Sequence, residues 1–266
     1  NTLSPGDKVV NATIGVFGNR FGEIAEVYGA EVTTLDFPYG EVIDLDVLRD
    51  TLNDEPEIKA VLVTHNETST GVTNDLETIA KVIKGEFDKL LLVDGISSVA
   101  SLPLSTDAWG CDVVATASQK GWMLPPGLAF MSMSERAWEA HAEATMPRFY
   151  FDAAMYKRYY EIGQPPYTPS ISTMFALDLA LDKLMAEGIG SVFERHASIG
   201  QFTRDGIKRL GLSMFPKDES TASNTVTAVS IPESVDGTKL LGLMRTEQDR
   251  TQARRGGKGR RSGGSP

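Results

Sequence analysis

Short apolar runs rich in β-branched residues alternate with amphipathic stretches over the first two thirds of the chain. Val9-Val10-Asn11-Ala12-Thr13-Ile14 reads as a strand, and Arg20 to Tyr28 as a helix stopped by Gly29. The same alternation predicts a strand over Glu31 to Leu35, a helix over Asp44 to Leu52, a strand over Ile58 to Thr64 and a helix over Asp75 to Ile83. Strands over Leu90 to Val93 and Asp112 to Ala117 complete the series. The βαβα order implies a largely parallel sheet covered by helices. Leu90-Leu91-Leu92-Val93 is apolar throughout, as a strand buried on both faces must be.

Beyond the Pro125-Pro126 turn the pattern changes. Gly127 to Met133 reads as one more strand, a candidate for antiparallel pairing. Two helices, Ser172 to Glu187 and Ser191 to Leu210, are separated by Gly188 and Gly190, the second long enough to bridge into another domain. A strand over Thr225 to Ile231 and a helix over Gly237 to Met244 suggest the start of a small α+β unit. The expected division is a large domain over 1–188, part of a smaller one over 189–245, and a tail over 246–266. From Arg245 onward seven Lys and Arg face two acids with almost no apolar residue, so disorder is expected there.

Composition narrows the classes. With 41% hydrophobic and 23% charged residues the chain can build a sizeable core. A formal charge of −10 argues against nucleic acid as a partner of the body of the protein. The one cysteine, Cys111, excludes an internal disulfide. The polar start lacks a signal-peptide pattern, and no apolar run approaches the roughly 18 residues of a membrane span. The reading is a soluble, cytoplasmic protein without a membrane partner. His65 sits in a loop while His141 and His196 fall on separate predicted helices, without a metal-binding spacing, so no metal site is expected.

Candidate chemistry lies where polar residues follow apolar strands, because ligands of open α/β sheets bind at the carboxyl edge. Three segments qualify: His65-Asn66-Glu67-Thr68-Ser69-Thr70-Gly71, Asp94-Gly95-Ile96-Ser97-Ser98 and Ser118-Gln119-Lys120-Gly121-Trp122. If their strands are neighbours, a hydroxyl-rich loop, a carboxylate and a lysine converge on one crevice. Such a set suits pyridoxal phosphate: an amine to bind its aldehyde and a carboxylate to pair with its pyridine nitrogen. Taken singly the residues allow plainer readings. Asp94 could be a turn or cap residue, Lys120 a solvated charge, Phe17 and Ile96 core, and Thr168 a turn residue before Pro169.

The runs H-N-E-T-S-T-G, L-L-V-D-G-I-S-S and S-Q-K-G-W-M-L-P-P-G-L-A-F resemble class V aminotransferases, in their serine–pyruvate and alanine–glyoxylate branch. The similarity continues upstream through Gly15-Val16-Phe17-Gly18-Asn19-Arg20-Phe21 and downstream through Tyr167-Thr168-Pro169-Ser170. It implies an α/β fold of the pyridoxal-phosphate fold type I and a transaminase with pyridoxal 5'-phosphate as cofactor. Lys120 would be the catalytic Schiff-base lysine and Asp94 the pyridinium partner. Thr68 would hydrogen-bond the ring hydroxyl oxygen, Phe17 and Ile96 would cover the two ring faces, and Gln119 would contact the phosphate. Thr168 would reach the phosphate of a neighbouring subunit's cofactor, implying a homodimer with shared sites. Substrates would be a small amino acid, serine or alanine, and a small 2-oxo acid, glyoxylate or pyruvate. Transamination of 2-aminoethylphosphonate, lyase chemistry or a non-catalytic dimerising fragment are the alternatives.

Two parts of the family pattern find no match: a Ser-Gly-x-Gly/Thr turn for the phosphate and an arginine for the substrate carboxylate. The resemblance thus implies a chain truncated at both ends. Cys111 does not match the loop cysteine of the related desulfurases.

Overall fold

A computed structural model describes residues 1–256 of the chain, with side chains through residue 246. The chain runs through β1 (Lys8–Thr13), α1 (Val16–Val27), β2 (Glu31–Asp36), α2 (Leu45–Asp54) and β3 (Ala60–Thr64). A small hairpin of β4 (Asn66–Glu67) and β5 (Val72–Thr73) follows, then α3 (Leu76–Ala80), which passes into a π-helical turn over Lys81–Glu86. β6 (Leu90–Asp94), β7 (Val113–Ala117) and β8 (Ala129–Met133) complete the main sheet, in the order β2-β1-β3-β6-β7-β8. Every pairing is parallel except β7 with β8. The expected α/β architecture with a mostly parallel sheet is what the chain adopts.

Strand periodicity explains the layers. Successive side chains point to opposite faces, so Val61 and Val63 of β3 enter one apolar cluster while Ala60 and Leu62 enter another. β6 divides likewise, Leu91 and Val93 to the first and Leu90 and Leu92 to the second. Leu48 and Leu52 of α2 and Leu76 and Ile79 of α3 cover the first face; Ala25 of α1 and Met146 cover the second. Each such aliphatic side chain, fully buried, contributes about 1.5–3 kcal/mol.

Beyond the sheet come α4 (Glu135–Glu143), α5 (Ala153–Glu161), α6 (Ile171–Glu187), α7 (Ile189–Arg209) and α8 (Gly237–Gly256). α4 carries His141 on a helix as expected, but α5 was not foreseen, although Ser134 and Asp152 cap the two by accepting from the backbone N–H groups of Ala137 and Ala154. Only Gly188, at φ +83°, separates α6 from α7; Gly190 lies inside α7. Val192 and Leu184 dock this helix pair on Ala100 and Trp122 beside the sheet.

Two expectations need correction. Thr225 to Ile231 does not form a strand: Val229 makes one isolated bridge to Met214, flanked by N–H···O bonds from Phe215 to Ala228 and from Ser230 to Ser213. Two short segments without a third neighbour do not sustain a ladder. The helix starting at Gly237 passes Met244 and continues through Gly256, into the stretch expected to be a disordered tail; residues 257–266 of that tail lie outside the described residues. Among the described residues no helix is long and apolar enough to cross a membrane.

Candidate functional site

Because β1, β3, β6 and β7 are parallel neighbours, their carboxyl ends open on one rim of the sheet. The registers Thr64↔Asp94 and Asp94↔Ala115 bring the ends of β3, β6 and β7 level. The segments that follow β1, β3, β6 and β7 therefore emerge side by side, carrying Phe17, Thr68, Ile96 and Lys120.

At this rim a cavity of about 440 Å³ is lined by Thr68, Ser97, Lys120, Arg195, His196 and Thr225, among others. Its volume lies within the range of small-molecule sites. Lys120 is exposed. Arg195, from α7, is held by Glu187 through Nε–Oε1 and Nη2–Oε2 contacts of 2.6 and 3.0 Å, so its charge is already engaged. Asp94 terminates β6, its Oδ1 accepting from the Ile96 N–H at 2.9 Å and its Oδ2 from the Thr64 hydroxyl at 3.4 Å. Burial pushes the Asp94 carboxyl above its ordinary range, and the charge of Glu67 adds to this; the Ile96 N–H, Thr64 and the Lys120 ammonium pull the other way.

The loops are fixed by buried polar groups. The Asn66 side-chain amide donates to the Ser97 hydroxyl at 2.9 Å and to the Thr225 hydroxyl at 3.0 Å. Ser97 in turn donates to the Asn66 carbonyl at 2.7 Å. Glu67, fully buried, accepts through Oε2 from the backbone N–H groups of Phe17 and Gly18, both at 3.0 Å. Its Oε1 accepts from the Ser69 N–H at 2.9 Å and hydroxyl at 2.6 Å. That carboxylate caps α1, whose Gly15 N-cap offers no side chain. The helix therefore starts at Val16, four residues before the Arg20 start that its own sequence indicates.

The model of the Aminotransferase class-V family matches residues 1–251. The chain belongs to that family. The class-V chain is 41% identical over 251 residues to the soluble hydrogenase small subunit of Synechococcus sp. (strain PCC 6716), covering 94% of this chain and 65% of the relative. It is 38% identical to the serine–glyoxylate aminotransferase of Arabidopsis thaliana, covering 91% of this chain and 61% of that protein. Its fold superposes on the alanine–glyoxylate aminotransferase of Nostoc sp. with a TM-score of 0.84 at 33% identity, over 90% of this chain and 63% of that one. The chain thus spans 65% or less of the length of these relatives.

Pyridoxal phosphate is the cofactor this family implies, and the donor set fits it. An amine and a hydroxyl share one cavity, and the Asp94 carboxylate, whose charge is penalised by burial, would be relieved by a cationic partner such as a protonated pyridine. Of the residues expected at the site, Thr68 and Lys120 line the cavity, and Asp94 is coupled to Lys120 by charge. Asp94, Ile96, Gln119, Phe17 and Thr168 are not among the residues lining it. Ile96 and Gln119 adjoin the site in sequence, and Phe17 is tied to the Thr68 loop through Glu67. Thr168 is exposed between α5 and α6, next to Tyr167, whose ring stacks on Tyr150 with centroids 4.7 Å apart.

Sequence reasoning passed over Glu67, Ser97, Arg195, His196 and Thr225. The first two stood inside quoted motifs, and their acceptor and donor roles were the available signal. The last three come from distant segments and had none.

Proposed function

We propose that the protein is a pyridoxal-phosphate aminotransferase, moving an amino group from a small amino acid, serine or alanine, to a small 2-oxo acid, glyoxylate or pyruvate. The observation that supports this reading is the Lys120 amine lining a rim cavity, with the half-buried Asp94 carboxylate on the neighbouring strand end, in a chain of this family. The serine–glyoxylate and alanine–glyoxylate activities of the Arabidopsis and Nostoc relatives, and the pyridoxamine–pyruvate activity of a Mesorhizobium japonicum relative, support these substrate classes.

Each residue has a task in this reading. Lys120 would hold the cofactor through its aldehyde as a Schiff base, and its Nζ would take and return the proton at the substrate α-carbon. Asp94 would pair with the ring nitrogen and keep it protonated. Thr68 would donate to the ring hydroxyl oxygen and Gln119 to the phosphate, while Phe17 and Ile96 would cover the two ring faces. When bound, pyridoxal phosphate supplies an electron sink for the substrate carbanion. Thr168 would serve the site of a second copy in a homodimer. The large domain would span 1–188 and part of the smaller one 189–245.

Purified protein mixed with pyridoxal phosphate should develop the visible absorption of an imine and, after borohydride reduction, carry the cofactor covalently. Lys120→Ala should lose both while keeping its thermal midpoint, since the side chain is exposed. Equal behaviour of wild type and variant would end the Schiff-base assignment. Side-by-side turnover of serine, alanine and 2-aminoethylphosphonate with glyoxylate or pyruvate as acceptor identifies the donor.

A second reading rests on the aromatic surface around α5, where Phe149 and Phe151 are more than two thirds exposed at 74% and 71%. A patch of this kind suits self-association, and the chain would then be a dimerising binder without turnover. Cofactor uptake without any transamination would favour it.

A further inference from the structure

Glu67 is the most deeply buried carboxylate at the rim, and the proposed chemistry gives it no task. It is fully buried, and its two oxygens take four hydrogen bonds of 2.6–3.0 Å from Phe17, Gly18 and Ser69. All four donors are neutral. A buried carboxylate needs such compensation, and the positive end of a helix dipole supplies more of it. The Ser69 hydroxyl, besides donating to Glu67, accepts from the Val16 N–H at 3.0 Å. One acidic side chain thus clamps the start of α1 to the loop after β3.

The sequence around the clamp is built for close approach. A Cβ on Gly15 would lie 2.5 Å from Ser69 Oγ and 2.6 Å from Glu67 Cγ. A Cβ on Gly18 would lie 2.4 Å from Thr13 Oγ1. Absence of side chains at both positions lets the helix end reach the carboxylate. The two segments joined are those that carry Phe17 and Thr68.

We propose that Glu67 is a positioning residue for the cofactor: by binding the Phe17 and Gly18 N–H groups with one oxygen and Ser69 with the other, it fixes the Phe17 ring relative to the Thr68 hydroxyl. This rests on the pyridoxal-phosphate reading above. Glu67 touches neither cofactor nor substrate; it acts through the two residues it holds in register. Its charge also reaches Asp94, opposing ionisation there, so loss of the carboxylate alters the pairing of Asp94 with a pyridine nitrogen as well.

A double-mutant cycle tests this. Glu67→Gln keeps the size of the side chain but turns an NH2 toward donors, breaking one half of the clamp. The dissociation constant for pyridoxal phosphate should rise about tenfold, the scale of one buried donor pair left unsatisfied, so binding weakens. Phe17→Leu should weaken it as well. The double variant should be no weaker than the worse single one, and the visible circular dichroism per bound cofactor should fall equally in Glu67→Gln and in the double variant. Multiplying effects with unchanged dichroism would show a merely structural role and overturn the proposal. If Glu67→Gln does not fold, Ser69→Ala enters the cycle, since it keeps the carboxylate and removes one donor and the Val16 acceptor; the same two outcomes decide. Lys120→Ala separates the two levels. Retention of the borohydride adduct in that variant sinks the cofactor reading itself, whereas loss of the adduct with a multiplicative Glu67–Phe17 cycle sinks only the positioning role.

Discussion

Between Lys8 and Val114 the apolar residues of the strands face inward, and Val9, Val10, Val61 and Leu91 are completely buried. Between Phe149 and Phe202 many face outward, Met185 and Phe202 being 80% and 73% exposed although both lie on long helices. The two regions have similar shares of apolar residues and opposite uses for them. The sheet closes both faces with its own helices, and the free energy of the fold is concentrated there. The later helices reach the rest of the chain mainly through Leu184 and Val192, so their packing contributes less. The cavity at the rim takes walls from both regions, Thr68 and Ser97 from the first and Arg195 and His196 from the second, with Lys120 and Thr225 contributed from segments outside both.

The contrast is broken most directly by truncation. Leu91→Ala should cost about 2–5 kcal/mol in denaturant unfolding, because a fully buried leucine leaves a cavity. Phe202→Ala should stay within about 0.5 kcal/mol of wild type. Equal losses would show that the helices are as well packed in solution as the sheet.

The acid limb of stability sharpens it next. Burial lowers the His65 pKa from 6.5 to about 4, with the Asp75 charge opposing; its ring meets Trp109 edge-on at 6.3 Å. The folded value lies below the unfolded one, so the protein favours the neutral ring. That contribution is complete above pH 6.5 and is lost as pH falls toward about 4. It amounts to roughly 3 kcal/mol. Stability of the wild type minus that of His65→Gln should therefore decline over this window, and a flat difference would contradict the burial.

The smallest effect concerns the rim itself. The Asp94 carboxyl lies above its ordinary range, so without a cationic partner its ionisation opposes folding, a cost that sets in as pH rises past the usual carboxylate value. Asp94→Asn should raise the thermal midpoint of the cofactor-free protein slightly at neutral pH, a gain that fades on acidification. The same variant should bind pyridoxal phosphate more weakly. A lower midpoint at neutral pH would mean that the carboxylate is paired within the chain.

Most of the sheet was legible because alternation and strand-end chemistry are local. β3 and β6 are visible as continuous apolar runs, and Asp94 and Lys120 follow their strands as ligand-binding residues do. What was hidden depends on distant partners. The start of α1 is set by Glu67, 49 and 50 positions away along the chain, so no local cap signal could place it. The apolar run Thr225 to Ile231 has strand composition, but ladders need neighbours, and Met214 alone offers one bridge. The Ser134 and Asp152 caps were local signals that went unused, so the helix around His141 was given no bounds and α5 was missed.

The hydroxyl of Thr225 gives the chain an order of events. It meets Asn66 across 159 positions and Ser97 across 128. Contacts between such remote segments form late, after the closure entropy of the intervening chain has been met by nearer pairings. The parallel core should therefore assemble first, and the wall of the cavity facing α7 should be added last. Ligand capture, in a refolding experiment, should then lag behind the recovery of secondary structure.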